Sequence, residues 1–216
     1  MKLFSFLLVA LLYFNVANSK TQSFGELFNK KVIDKAHIER IKSLLNASPK
    51  KNIPVLFSVM KDKKQSEQSR WLATLLIGKA LGKKSINYLS KFTSHPDVIL
   101  RLASLKSLLS LEAKSKREVF EKALFDKSLL VRKEALRAVR LLRLKKSAPS
   151  LMKMLLDKNN YYVKNKKLKR SEIIKEVIST IGDLKYNNAK TMLLKLRSKN
   201  GYEDLYPSLD YALSRL

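Results

Sequence analysis

Three groups of residues in this chain have types and spacings that could do chemistry. Asp97 precedes Arg101, and Asp126 precedes Arg132. An acid next to a guanidinium fork can hold an ion pair, and a short acid at a helix start can accept backbone N–H bonds. A catalytic Asp–Arg pair would need a nucleophile or base placed with it, and none is. Lys133, Arg137 and Arg140 are spaced by four and then three, so they share one helical face, and Arg143 extends that stripe. Such a stripe either faces water or meets an anionic partner. The third group is NNYYVKNKKLKR, residues 159–170, which has basic residues, two adjacent tyrosines and no acid. Lys164, Lys166, Lys167, Lys169 and Arg170 could hold phosphate or carboxylate, and Tyr161 and Tyr162 could stack. Equally, the tyrosines could cover core and the lysines face solvent.

Other chemistries find little here. The chain has no cysteine, so thiolate metal sites and disulfides are ruled out. The two histidines, His37 and His95, do not form a metal-spaced pair, and each reads as a surface or helix-end residue. GxSxG and HExxH patterns do not occur. The expectation is therefore a non-enzyme with no catalytic residue, no metal and no cofactor.

The 216 residues carry 45 Lys and Arg against 18 Asp and Glu, a formal +27. That excess draws anionic partners at long range: an acidic protein, an anionic envelope component, or nucleic acid. It also disfavours self-association, so a monomer is expected. The chain opens MKLFSFLLVALLYFNVANSK, with an early lysine, an apolar run over residues 3–14, and small residues Ala17 and Ser19 before Lys20. This is the form of a secretory signal peptide over residues 1–19, too short in its apolar part to span a bilayer. An exported protein, periplasmic or secreted, is expected, with no integral membrane segment in the mature chain. Removing Lys2 with the leader leaves 44 − 18 = +26.

The elements that would position the charged groups repeat. KKSINYL from Lys83 and KKSAPSL from Lys145 superpose at an offset of 62, twice 31, and Leu89, Phe120 and Leu151 are equivalent. Arg101, Leu105 and Leu108 recur as Arg132, Leu136 and Val139. A fixed period marks a solenoid. Each unit holds two segments with apolar residues at three-to-four spacing, and strand-length β-branched runs are scarce. Helix pairs are predicted over 35–47 and 52–61, 66–81 and 84–93, 97–112 and 115–125, 129–144 and 147–156, and 170–184 and 187–197. Residues 20–34 form a linker or cap, 35–198 the repeats, and 199–216 a cap helix. Residues 157–170 add length before the fifth pair, as a helix extension or a loop. Trp71 reads as a core packing residue, and Phe57, Phe92, Phe120 and Phe125 read as packing residues between repeats.

The pattern resembles HEAT-type helical repeats, in particular the short bacterial form. Asp126, Val131, Arg132, Ala135, Leu136, Leu141 and Leu142 match its motif, which recurs as Asp97, Leu100, Arg101, Ala103 and Leu105. Gly82 and Gly182 fall near helix ends. The motif's glycine is missing at Arg143. The resemblance covers about residues 35–198 and implies an all-α solenoid of about five antiparallel helix pairs in a right-handed superhelical stack. It also implies a structural ladder of Asp97, Arg101, Asp126 and Arg132 between repeats. Such arrays serve many roles. With the leader and charge, the expectation is an exported binding scaffold that offers a basic surface to an acidic protein or envelope component. The alternative is nucleic-acid binding, as in HEAT-like DNA glycosylases. A third class, bilin-lyase-associated arrays, fits an exported solitary chain poorly.

Overall fold

A computed structural model describes residues 23–29, 34–164, 167–170 and 172–216, with the backbone alone over 162–164 and 167–170. The expected leader, residues 1–19, lies outside the described residues. The fold is an all-α solenoid of antiparallel helix pairs, with one local departure. The pairs are α1 (Lys35–Ala47) with α2 (Pro49–Lys61), α3 (Glu67–Leu81) with α4 (Ile86–Phe92), α5 (Val98–Ser110) with α6 (Arg117–Ala123), α7 (Leu129–Leu141) with α8 (Ala148–Leu156), and α9 (Ile173–Asp183) with α10 (Lys190–Arg197). A closing helix, α11 (Tyr206–Leu213), packs on α9 and α10.

Local chemistry sets the helix starts. Asp34 and Asp97 accept the His37 and Ile99 N–H groups at 2.8 Å, and Ser66 accepts the Ser69 N–H at 3.1 Å. Pro49, Pro149 and Pro207 sit in first turns, where a missing N–H costs nothing. Between the caps, stripes such as Val131, Ala135, Leu136 and Val139 are buried in one continuous core. The residues before α1 join that core through Leu27 and Phe28. His37 stands in the first turn of α1, the helix end expected of it, but it is buried and not on the surface, and its Nε2 lies 2.6 Å from the Leu27 carbonyl.

The first helices of successive repeats lie directly on one another, α3 on α5, α5 on α7 and α7 on α9. Small buried residues, Ala73, Ala103 and Ala135, allow the approach. From α4 on, the second helices are shorter than the first, and the second helices touch their counterparts far less, so the array is tighter along its first-helix side.

Each first helix from α3 to α9 ends on a residue with positive φ: Gly82 (54°), Glu112 (49°), Arg143 (51°) and Lys185 (55°). At the last three a Schellman pattern closes the helix. The Arg143 N–H reaches the Arg140 carbonyl at 3.1 Å, and the Leu144 N–H reaches the Val139 carbonyl at 3.0 Å. Arg143 therefore keeps the turn although the motif's glycine is missing. A side chain in the left-handed region costs energy that glycine avoids. Glu112→Gly is expected to stabilise the chain by about 0.5–1 kcal/mol, read as a higher urea midpoint at unchanged slope.

The departure lies between α8 and α9. The insert is neither a lengthened helix nor a plain loop. It forms an antiparallel hairpin, β1 (Tyr161–Lys164) with β2 (Lys167–Arg170), pairing Tyr161 with Arg170 and Val163 with Leu168. Tyrosine and valine suit extended backbone. The hairpin does not break the stack, because α9 still packs against α7.

A candidate interaction surface on the first-helix side

The buried charges sit on the edge where one repeat passes to the next. Arg70 of α3 pairs with Asp97 at the start of α5. Arg101 of α5 holds Asp126 with both prongs, Nε at 2.8 Å and Nη2 at 2.9 Å, while its Nη1 donates to the His95 and Pro96 carbonyls. Arg132 of α7 makes the next rung. Its partner is Asn160 Oδ1 at 3.0 Å and the Asn159 carbonyl at 2.9 Å. Asp157 stands 31 residues after Asp126, one period on. It caps the Asn159 N–H instead, so the last rung is neutral. In α9 the corresponding position is Ile174, which is buried, and the ladder stops. These arginines and aspartates consume one another and are not free to bind a partner.

The first rung carries a pH signature. Burial raises the Asp97 carboxyl, but the Ile99 N–H and the Arg70 guanidinium outweigh it and hold the group below its ordinary value. A depressed folded-state value gives stability that is present above the unfolded value and lost as pH falls through the folded one. The difference in urea midpoint between the parent and Arg70→Gln should be full near neutral pH and shrink as pH falls below the ordinary aspartate value of about 4. A gap that does not change with pH would assign Arg70's contribution to its bond with the Met60 carbonyl.

The outward charges gather on the first-helix side. A groove of about 620 Å³ crosses α3, α5 and α7. Leu75, Leu109 and Leu141 give it apolar surface, and Lys79, Lys106 and Arg137 give it cations. Its acids are Glu112 and Glu134. Glu134 is buried and lies 3.8 Å from Lys106 Nζ and 3.5 Å from Arg137 Nη1. Trp71 is half-buried on this side, with Lys106 Nζ 5.7 Å from its ring centroid, so it is not the core residue expected of it. Leu141 is 54% exposed. Its repeat equivalents, counted from the positive-φ residues, are Ala80, Ser110 and Asp183. The array does not need a leucine there.

Leu141 also borders a second pocket of about 430 Å³, lined with Arg140, Arg143, Asp183, Lys185 and Arg215. Four cations and one acid give it a formal 4 − 1 = +3. Asp183 is already engaged: the Tyr211 hydroxyl donates to it at 2.6 Å, and Arg215 Nε lies 3.6 Å away. Donating that hydrogen bond to Asp183 raises the Tyr211 hydroxyl above the ordinary phenol value. Arg140, Arg143 and Lys185 make no ion pair among the described residues and are exposed.

The candidate residues thus separate. Arg137, Arg140 and Arg143 come together around Leu141. Lys133 turns to Glu176 of α9 at 2.8 Å and ties two repeats. Tyr161 is half-buried, and its hydroxyl donates to the Leu155 carbonyl at 2.5 Å, which anchors the hairpin. Tyr162, Lys164, Lys167, Lys169 and Arg170 lie on the hairpin backbone, and Lys166 lies outside the described residues. Phe120 is core and Phe57 and Phe92 pack against it, but Phe125 is exposed at 39%, against expectation. Lys79, Lys106, Leu141 as a surface residue, Lys185 and Arg215 went unnoticed in the sequence. The readable signals were the leucine at a position otherwise small or polar, and the cation at Lys185 in register with Arg143.

Residues 86–169 match the family model described as HEAT repeats. That segment runs from α4 into β2, and the array there is of HEAT-like type. HEAT repeats generally mediate protein interaction. No curated protein matches the chain. Among solved structures, human deoxyhypusine hydroxylase in complex with glycerol is similar at 17% identity and a TM-score of 0.35, over 89% of this chain and 72% of that one. Among the described residues, no helix is long and apolar enough to cross a membrane.

Proposed function

We propose that this chain is an exported, non-enzymatic scaffold whose first-helix side docks an acidic partner protein. One observation carries the reading: an exposed leucine, Leu141, joins a groove edged by Lys79, Lys106 and Arg137 to a pocket of formal charge +3. Apolar surface flanked by an excess of cations, of which Arg140, Arg143 and Lys185 make no ion pair among the described residues, suits a partner segment that carries leucine-like and acidic side chains together. The cations speed encounter, and the leucines hold what has docked. Export rests on the leader pattern of residues 1–19, and the mature charge draws acidic partners in the same compartment.

A second reading has its own observation. Exposed lysines recur on the turns within repeats, Lys83 and Lys84, Lys114, and Lys145 and Lys146. Such a row suits a linear polyanion such as nucleic acid, bound without base preference and released steeply by salt.

Capture separates them. The immobilised full chain and a Leu141→Asp bait are challenged with envelope extract at about 0.15 M and about 0.5 M salt, a range that shortens the screening length substantially. The scaffold reading expects a discrete acidic protein held by the parent at both concentrations and lost by Leu141→Asp. Nucleic acid released wholesale at the higher salt, with both baits alike, would sink it in favour of the second reading.

A further inference from the structure

The geometry points to the pocket formed by the ends of α7, α9 and α11 as a carboxylate subsite. It takes an Asp or Glu side chain of the docked segment whose apolar neighbour lies on Leu141. This assignment rests on the docking reading above and names the chemistry of its anchor.

Three observations carry it. First, the pocket's acid is spent and most of its cations are not. Asp183 is held by Tyr211 and Arg215, whereas Arg140, Arg143 and Lys185 form no ion pair among the described residues. Like charges gathered this closely repel until an anion joins them. Second, two of these cations occupy backbone positions that disfavour them. Arg143 and Lys185 stand at φ 51° and 55°, where Gly82 stands in an earlier repeat. Glycine would close both turns with less strain, so these two cations stand there at a local cost in stability. Third, Leu141 borders the pocket and is half exposed. A free phosphate or a nucleic-acid backbone gains nothing from an apolar wall at that point. A carboxylate one helical step from a leucine-like side chain gains from both, and Arg140 and Arg143 offer the planar fork that matches a carboxylate.

The backbone makes the test clean, because the substitutions that remove the charge also relieve the turns. Arg143→Gly combined with Lys185→Gly should raise the urea midpoint while weakening binding. The probe is a fluorescein-labelled helical peptide of about three turns, with two leucines one turn apart flanked by glutamates. Its anisotropy is followed on purified full chain, beside a counterpart with glutamine for each glutamate. The parent is expected to favour the glutamate peptide by about tenfold or more, and the double-glycine variant to lose about tenfold for that peptide only. Glu112→Gly gives the same turn relief but removes an acid of the groove, and should raise the midpoint and tighten binding. A double-glycine variant that binds as tightly as the parent overturns the subsite. So does a parent that does not distinguish the two peptides, or displacement of the peptide by inorganic phosphate at low millimolar concentration. The docking reading falls separately. If the envelope capture yields no partner, the scaffold is lost while the peptide result still decides the pocket. If the double-glycine bait captures the same partner as the parent, the scaffold stands without this anchor.

Discussion

Replacing Arg101 by methionine is expected to cost about 3 kcal/mol, the typical loss when one member of a buried ion pair is removed. Arg101 is almost fully buried, holds Asp126 with two prongs and satisfies two carbonyls of the preceding loop. The methionine leaves a poorly solvated carboxylate and two unpaired carbonyls. Asp126 does not become idle, because its Oδ1 also accepts the Ser128 N–H at the start of α7. Arg101→Met with Asp126→Asn should therefore recover part of the loss, about 1–2 kcal/mol, since the amide keeps an acceptor and sheds the charge. Arg101→Lys should recover little, as one ammonium cannot span both oxygens and both carbonyls. Arg132→Met should cost less than Arg101→Met, because its partners are neutral. Urea titrations of the parent and these four variants check the ordering, and an Arg132→Met loss equal to that of Arg101→Met would contradict the charged-rung account.

The second large effect belongs to Gly182. A Cβ at this position would lie 2.6 Å from the Ala212 Cα and 3.1 Å from its Cβ. The obstacle is backbone, so it cannot rotate away. Gly182→Ala gains about 1 kcal/mol of helix propensity and is nonetheless expected to lose about 1–3 kcal/mol net through overpacking. The damage should be local, because each unit of a solenoid leans on its neighbours. Hydrogen exchange should quicken at Leu209 and Ala212 in α11, while α3 and α5 keep their protection. α11 also brings Arg215 against Asp183, so the same substitution should weaken the peptide binding described above. Uniform loss of protection along the array would contradict the local picture.

The array was legible because its physics is periodic. A stripe repeating at three-to-four spacing gives helices, and a stripe repeating every 31 residues gives the stack. The ladder was half legible. Asp97, Arg101, Asp126 and Arg132 stand in recognisable settings, but Arg70 follows Ser66 rather than an aspartate, so its setting hid it. The partner of Arg132 was not legible, because the offset of 31 from Asp126 lands on Asp157, whereas Asn160 takes the rung. α2 begins at Pro49, ahead of the expected 52, and runs through Pro54. The hairpin was missed because a short two-stranded element is decided by pairing and support, not by the pattern of either strand. Tyr161 supplies that support through Leu155. The surface was least legible. Arg137, Arg140 and Arg143 were visible as a stripe, yet what they face depends on α9 and α11 arriving beside them. Leu141 looked like any other helix leucine until its neighbours left it uncovered.

The central claim is that the first-helix side around Leu141 is where this chain docks an acidic segment. Hydrogen exchange of the full chain with and without the glutamate peptide tests it most directly. The account predicts new protection at the last turn of α7, through residues 142–144, and in α11, with the hairpin and the lysines at 83–84 unchanged. Protection confined to the hairpin or to the turn lysines, with the α7 end exchanging as before, would contradict it.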